Sequence, residues 1–238
     1  MVRLTNKVTL EQRCFMVIQT VNAQHTENEI NNLLVSMGLK VDEAVSQAIM
    51  ALVHANSHIV AGVMENAVAI QELELSIDQA VFSALEQGEL PPSGVSRATL
   101  VVNISKDMVR LGKLAANLGR KVTEVGKHHE HEDFSRLQPL AIAVSHLCRQ
   151  TLRSLARLDP VLARNAAAGS ASVDAYRDYV LRGVGRKEPL ITDEQDLHLI
   201  FASRCLEQIA DHAHHLAENL VVFLEHIPEL EKRRSVAC

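Results

Sequence analysis

Tryptophan is absent from this 238-residue chain and aromatic residues make up only 3% of it, while acidic residues (29) outnumber Lys and Arg (24) for a net charge of −5. Nucleic-acid surfaces want basic stripes and stacking rings, so that class is disfavoured. The four cysteines, Cys14, Cys148, Cys205 and Cys238, stand far apart with no Cys-x-x-Cys. Neither a zinc knuckle nor a disulfide framework is legible, and a reducing cytoplasm is the expected setting. No apolar run approaches the roughly 18 residues of a membrane-spanning helix, and the short run Cys14 to Ile18 is too brief for a signal-peptide core. Glycine-loop phosphate sites, dinucleotide fingerprints and Gly-x-Ser-x-Gly are missing. Also missing is any Glu-x-x-His, which di-iron bundle oxidases require. A non-catalytic protein is expected.

What is abundant is apolar residues, 47% of the chain, set at three- and four-residue steps between rare glycines (10) and prolines (6). Thr26 and Glu29 read as a capping box before Ile30, Leu34, Met37, Val41, Ala48 and Leu52. The pattern resumes from Ile59 to Leu85, stops at Gly88 and a Pro91-Pro92 turn, and runs again from Val95 to Leu118. A polar stretch, Gly126 to Asp133, reads as a linker containing His128, His129 and His131. Three further runs follow: Leu137 to Leu155 closed by Asp159-Pro160, Val161 to about Leu181, and Leu197 to about His226. Laying Lys113 on Asp211, a 98-residue offset, brings Met108 onto Leu206, Leu111 onto Ile209, Ala115 onto Ala213 and Leu118 onto Leu216. The fold class is therefore all-α, two tandem three-helix bundles related by internal duplication. Their expected extents are 26–122 and 134–227, with an extension over 1–25, a linker over 123–133 and a tail over 228–238.

The densest chemistry lies on the last run. At ~100° per residue, Glu207, Asp211, His214 and Glu218 fall in one narrow stripe beside the apolar face, with His215 just outside. Carboxylates and imidazoles at i, i+4 spacing suit a divalent metal; a solvated acidic face is the commoner outcome of such a pattern. On the fourth run Arg149, Arg153 and Arg157 form a basic ridge that suits an acidic partner or anionic headgroups, again more often a plain solvated face. His146 and His198 lie in otherwise apolar runs and read as core or boundary residues.

Cys205-Leu206-Glu207-Gln208-Ile209-Ala210-Asp211-His212-Ala213, followed by Leu216-Ala217-Glu218-Asn219, resembles the PhoU family motif Asp-Leu-Glu-Arg-Ile-Gly-Asp-His-Ala with Asn-Ile-Ala-Glu after it. The family places that motif on the last helix of each of two bundles. A degenerate first copy is visible at Asp107, Arg110, Gly112 and Lys113, and the resemblance spans about Glu27 to His226. It implies a cytoplasmic negative regulator of phosphate uptake and phosphate-starvation signalling, a homodimer that contacts a phosphate ABC transporter and a sensor histidine kinase. It also implies a divalent metal (Zn, Fe or Mn) at Glu207 and Asp211. The first copy departs from this, because Val109 and Lys113 occupy its ligand positions and Ala67 and Val68 stand where the family often has acids on the middle helix, although Asp174 remains in the second bundle. One reading of the departure sets Lys113 and Arg120 as fixed cations against the carboxylates of the last run. An alternative function is a PhoU-like interaction module serving a different transporter, such as a sodium–phosphate or other ion transporter, or a metal-binding structural dimer.

Overall fold

A computed structural model describes residues 10–54, 56–88, 90, 92–126, 134–169, 173, 175–176 and 194–236, with side chains from Thr26 to Glu225. Six α-helices and two short 3₁₀ turns make up these residues, with no strand among them. The helices are α1 (Leu10–Val53), α2 (Val60–Glu86), α3 (Pro92–Gly126), α4 (Gln138–Arg157), α5 (Pro160–Ala168) and α6 (Glu194–Val236). The polar residues of the expected Gly126–Asp133 linker after Gly126, including His128, His129 and His131, lie outside the described residues, as does Asp174.

Turn chemistry sets most boundaries. Asn56 has extended backbone and its side chain accepts from the His58 N–H, so α1 ends and a 3₁₀ turn leads into α2. Gly88 sits at φ +63°, the left-handed conformation that closes α2 and that a Cβ would resist. After α4, Leu158 adopts the left-handed conformation although it is not glycine (φ +50°). The next residue, Asp159, then caps α5 by accepting from the Val161 and Leu162 amides, with Pro160 as the first helical residue.

Four boundaries differ from the sequence reading, one of them being that α3 runs to Gly126, four residues into the expected 123–133 linker. α1 begins at Leu10 and passes through Thr26 without a break, so the capping box lies inside a helix; the residues before it, Phe15, Ile18 and Val21 among them, keep a helical period that outlasts a local cap signal. α5 ends at Ala168 rather than near Leu181, because Gly169 ends the run of helix-favouring alanines. α6 continues past His226 to Val236.

α1, α2 and α3 pack on one another, as do α4, α5 and α6, and the two groups join through α3 against α6 and α1 against α4. One continuous apolar core runs through both groups. Met37, Val41 and Ala44 of α1, Ile70 and Ile77 of α2, and Ile104, Met108 and Leu111 of α3 are fully buried in it, with Leu140 and Val144 of α4 and Leu206, Ile209 and Leu216 of α6. Each large side chain of this kind contributes about 1.5–3 kcal/mol on burial, which is why duplicated stripes decide the architecture. Polar links pin the seams. Arg97 on α3 reaches Glu27 at 3.2 Å and Asn31 at 3.1 Å on α1, and its guanidinium lies 5.5 Å from the centre of the Phe223 ring on α6. Thr151 on α4 donates to the Ala213 carbonyl on α6 at 3.3 Å.

Candidate functional site

Both motif helices meet at the joint between the two groups. α3 and α6 carry the same apolar stripe at the 98-residue offset, and both stripes are buried in the shared core. Asp107, early in α3, lies against His215 and Asn219, late in the motif segment of α6, while Lys121, late in α3, acts on the early Cys205 of α6. The helices are therefore antiparallel across the joint. Asp107 and Cys205 are equivalent positions under the repeat, and so are Lys121 and Asn219, so the same two positions lie near each other twice about a pseudo-twofold, hydrogen-bonded in one copy and linked only by a charge effect in the other.

The stronger copy is at Asp107, whose side chain is only 9% exposed. Its Oδ2 accepts the Asn219 amide at 2.7 Å and lies 3.2 Å from Nδ1 of His215, a side chain 59% exposed. A buried carboxylate is tolerated only when donors compensate it, and Nδ1–H is the His215 tautomer that does so. In the other copy the burial of Cys205 raises its thiol pKa, and the Lys121 ammonium opposes that rise. A carboxylate with two donors has become a thiol beside a cation.

Members of the expected metal stripe pair with neighbours on α6. Glu207 is half-buried and paired with Arg204 one turn before it at 2.6 Å. Asp211 is exposed. Nε2 of His214 stands 3.5 Å from Glu218, and its Nδ1 is buried without a hydrogen-bond partner. His215 turns away from that stripe to Asp107. In the first copy Val109 and Ala116 are buried, Lys113 and Arg110 are exposed, and no ion pair joins Lys113 to the α6 carboxylates among the described residues. Arg120 bonds Asn117 on its own helix and lines a groove of about 430 Å³ with Val60, Met64 and Thr123, on the α2 side of α3. The expectation that Lys113 and Arg120 oppose the α6 carboxylates is thus corrected. Val109 and Ala116 of that edge are buried, while Lys113 and Arg120 are exposed. Among the described residues no three His, Cys, Asp or Glu side chains converge on a point that could hold a metal ion. The donor set at Glu207 and Asp211 does not fit one without further ligands.

One further reading is corrected. His146, expected in the core or at its boundary, is exposed on α4. All three arginines of the basic ridge, Arg149, Arg153 and Arg157, are exposed, and Arg149 also reaches α1, 3.5 Å from Asp42 and 3.1 Å from Ser46. The motif glycine has a packing role: a Cβ on Gly112 would stand 2.9 Å from Cδ1 of Ile70, so α2 and α3 approach where that side chain is missing. The equivalent Ala210 is buried with its Cβ accommodated. Sequence reasoning missed Asn219 and Arg97. For Asn219 a signal existed, since Asp107 interrupts the apolar stripe of Ile104, Met108 and Leu111 and a buried acid needs a donor on whatever covers it.

Comparison with known proteins gives one consistent result. The PhoU domain matches this chain twice, over residues 34–122 and 140–220. Two proteins named phosphate-specific transport system accessory protein PhoU homolog, from Pseudomonas putida and from Pseudomonas aeruginosa, are each 28% identical over 202 residues. The match covers 82% of this chain in both cases, and 77% and 82% of those proteins respectively. Among solved structures, PhoU from Pseudomonas aeruginosa superposes with a TM-score of 0.76 at 23% identity, covering 85% of this chain and 98% of that one. The phosphate transport system regulatory protein PhoU from Streptococcus pneumoniae gives 0.67 at 17% identity, covering 82% and 93%.

Proposed function

Because the chain belongs to the PhoU family, we propose that it is a non-catalytic accessory regulator of phosphate transport that works in the cytoplasm through protein–protein contact. Its partners are a phosphate ABC transporter and a sensor histidine kinase, and its effect is to restrain the phosphate-starvation response while phosphate is plentiful. The observation that supports this reading is the family match in both halves, joined with relatives named for the phosphate-specific transport system. No described helix is long and apolar enough to cross a membrane, which fits a protein that reaches the bilayer only through its partners.

Within that reading the motif residues of this chain act as a joint. The Asp107 carboxylate, held by Asn219 and His215, and the Arg97 guanidinium over Phe223 fix α6 on α3. A partner spanning both repeats therefore meets a surface whose two halves keep one orientation. The proposed action needs no metal ion. A homodimer belongs to the same proposal, and equilibrium sedimentation decides it.

The test is genetic and biochemical together. Deleting the gene should switch on a phosphate-starvation reporter in phosphate-rich medium, restored by the wild-type chain, and the tagged protein should co-purify with the transporter's ATPase subunit. A reporter that stays silent in the deletion strain would defeat the proposal. The loss of acids at Val109 and Lys113 favours one second reading, a module serving a different phosphate or ion transporter. In that case the deletion would change uptake of the other ion and leave the reporter unaffected.

A further inference from the structure

α2 has two apolar faces, and the core uses only one of them. Val63, Ile70, Ile77, Val81 and Ala84 point inward and are buried. On the opposite side Val68, Leu75 and Phe82 are 56%, 62% and 63% exposed. Their seven-residue spacing matters: at ~100° per residue each step falls about 20° short of two full turns, so the three make a nearly straight ridge about 21 Å long. A single exposed apolar side chain is ordinary, whereas three in heptad register form the kind of seam that helices use to pair.

The charge around the ridge is of one sign. Between Val60 and Glu86 the helix has no Lys or Arg, but it carries Glu65, Glu72, Glu74, Asp78 and Glu86. On the helical wheel Glu65 and Glu72 border one side of the ridge and Asp78 the other, with Glu86 at its end. Asp78 also has one carboxylate oxygen buried with no donor, so its charge is under-compensated by its own chain.

The geometry points to the outward face of α2 as a docking strip for a cationic amphipathic helix of another protein, with Val68, Leu75 and Phe82 as the apolar seam and Glu65, Glu72 and Asp78 as flanking charges. A second copy using the same strip is disfavoured by its own charges. Parallel pairing would set the Glu72 flank of one helix against the Asp78 flank of the other, and antiparallel pairing about Leu75 would set the Glu65–Glu72 flank against itself. An anionic membrane surface is disfavoured for the same reason. A helix with apolar residues every third or fourth position and Lys or Arg beside them satisfies both the ridge and its rims. α2 packs chiefly on α1 and α3, so an occupant of this face leaves the α3–α6 joint untouched.

The test uses the purified full-length chain and three synthetic helical peptides of about three heptads. One carries a leucine seam flanked by lysines, one has the same composition scrambled, and one carries the seam flanked by glutamates. Fluorescence anisotropy should show the lysine-flanked peptide binding at least about tenfold tighter than either control, with affinity falling as salt rises. Leu75→Ser should weaken it by about tenfold, and the double variant Glu65→Lys/Glu72→Lys should transfer preference to the glutamate-flanked peptide. All three positions are exposed, and circular dichroism checks that the variants stay folded. Glu29→Lys, an exposed acid on α1, is the control for bulk charge and should change nothing. Equal binding of the scrambled peptide, or a loss in Glu29→Lys as large as that in Glu65→Lys/Glu72→Lys, would overturn the inference. So would a dimer in sedimentation that Leu75→Ser dissociates, since a second copy would then own the strip.

Discussion

Replacing Asp107 by alanine removes a buried carboxylate at the joint of the two repeats. Asp107 Oδ2 accepts Asn219 at 2.7 Å and faces His215 Nδ1 at 3.2 Å. Hydrogen bonds to a charged group contribute about 1.5–3 kcal/mol net each. The His215 share is discounted because that side chain is 59% exposed, so water screens it and takes over when its partner is lost. Asn219, half-buried, is left with an amide that reaches water only in part. About 2 kcal/mol is therefore expected for Asp107→Ala, and for a chain of this size that corresponds to a Tm lower by about 4–8 °C. Asp107→Asn keeps the volume and a neutral acceptor and should lose about half as much. Asn219→Ala alone should cost about 1 kcal/mol, and the double variant should fall short of the sum by about 1 kcal/mol, measured by urea unfolding. A single cooperative transition should persist in all of them, because the apolar core across the joint is unchanged. Additivity within about 0.5 kcal/mol would refute the assignment of Asn219 as the donor that Asp107 depends on.

Gly112→Ala should be nearly neutral, because displacing the flexible Cδ1 of Ile70 is offset by about 1 kcal/mol of helix propensity; Gly112→Val should cost about 2–3 kcal/mol by overpacking, partly restored by Ile70→Val in thermal melts. Burial, with Asp42 nearby, pushes the Cys148 thiol up to about 12, so iodoacetamide at pH 8 should label Cys205 before Cys148 in the native chain. Since the folded thiol keeps its proton where the unfolded one loses it, this group should erode stability as pH rises from 9 towards 12, and Cys148→Ala should flatten that part of the profile. Elemental analysis of protein purified without a histidine tag should find metal well below one equivalent and unchanged in Asp211→Ala; a stoichiometric metal lost in that variant would show that ligands from elsewhere complete a site at Glu207 and Asp211.

Fold class was legible in the residues because it rests on repetition. Met108 with Leu206, Leu111 with Ile209 and Leu118 with Leu216 are buried pairs at one offset, and a period of three and four residues needs no tertiary knowledge to read. Asp159 with Pro160 marked a real helix start because capping and proline geometry are local. Thr26 failed by the same measure. A capping pair is worth about a kilocalorie per mole, too little to stop a helix whose neighbours continue to favour it.

Part of the candidate site was legible and its wiring was not. The sequence alone determined that two equivalent helices carry the motif, that Glu207 and Asp211 survive in one copy, and that Val109 and Lys113 have replaced them in the other. It also singled out Asp107 as a surviving polar motif residue. Which side chains meet across the joint was decided by the antiparallel packing of α3 on α6, which brings Asp107 to Asn219 and Lys121 to Cys205 while leaving Lys113 and Asp211 without an ion pair to each other. The physical reason is that helical periodicity fixes which residues share a face, since each position follows its neighbour by a constant angle. Which face meets which, and in which direction, is set by the burial of whole stripes over more than a hundred residues of separation, and no single residue records that choice.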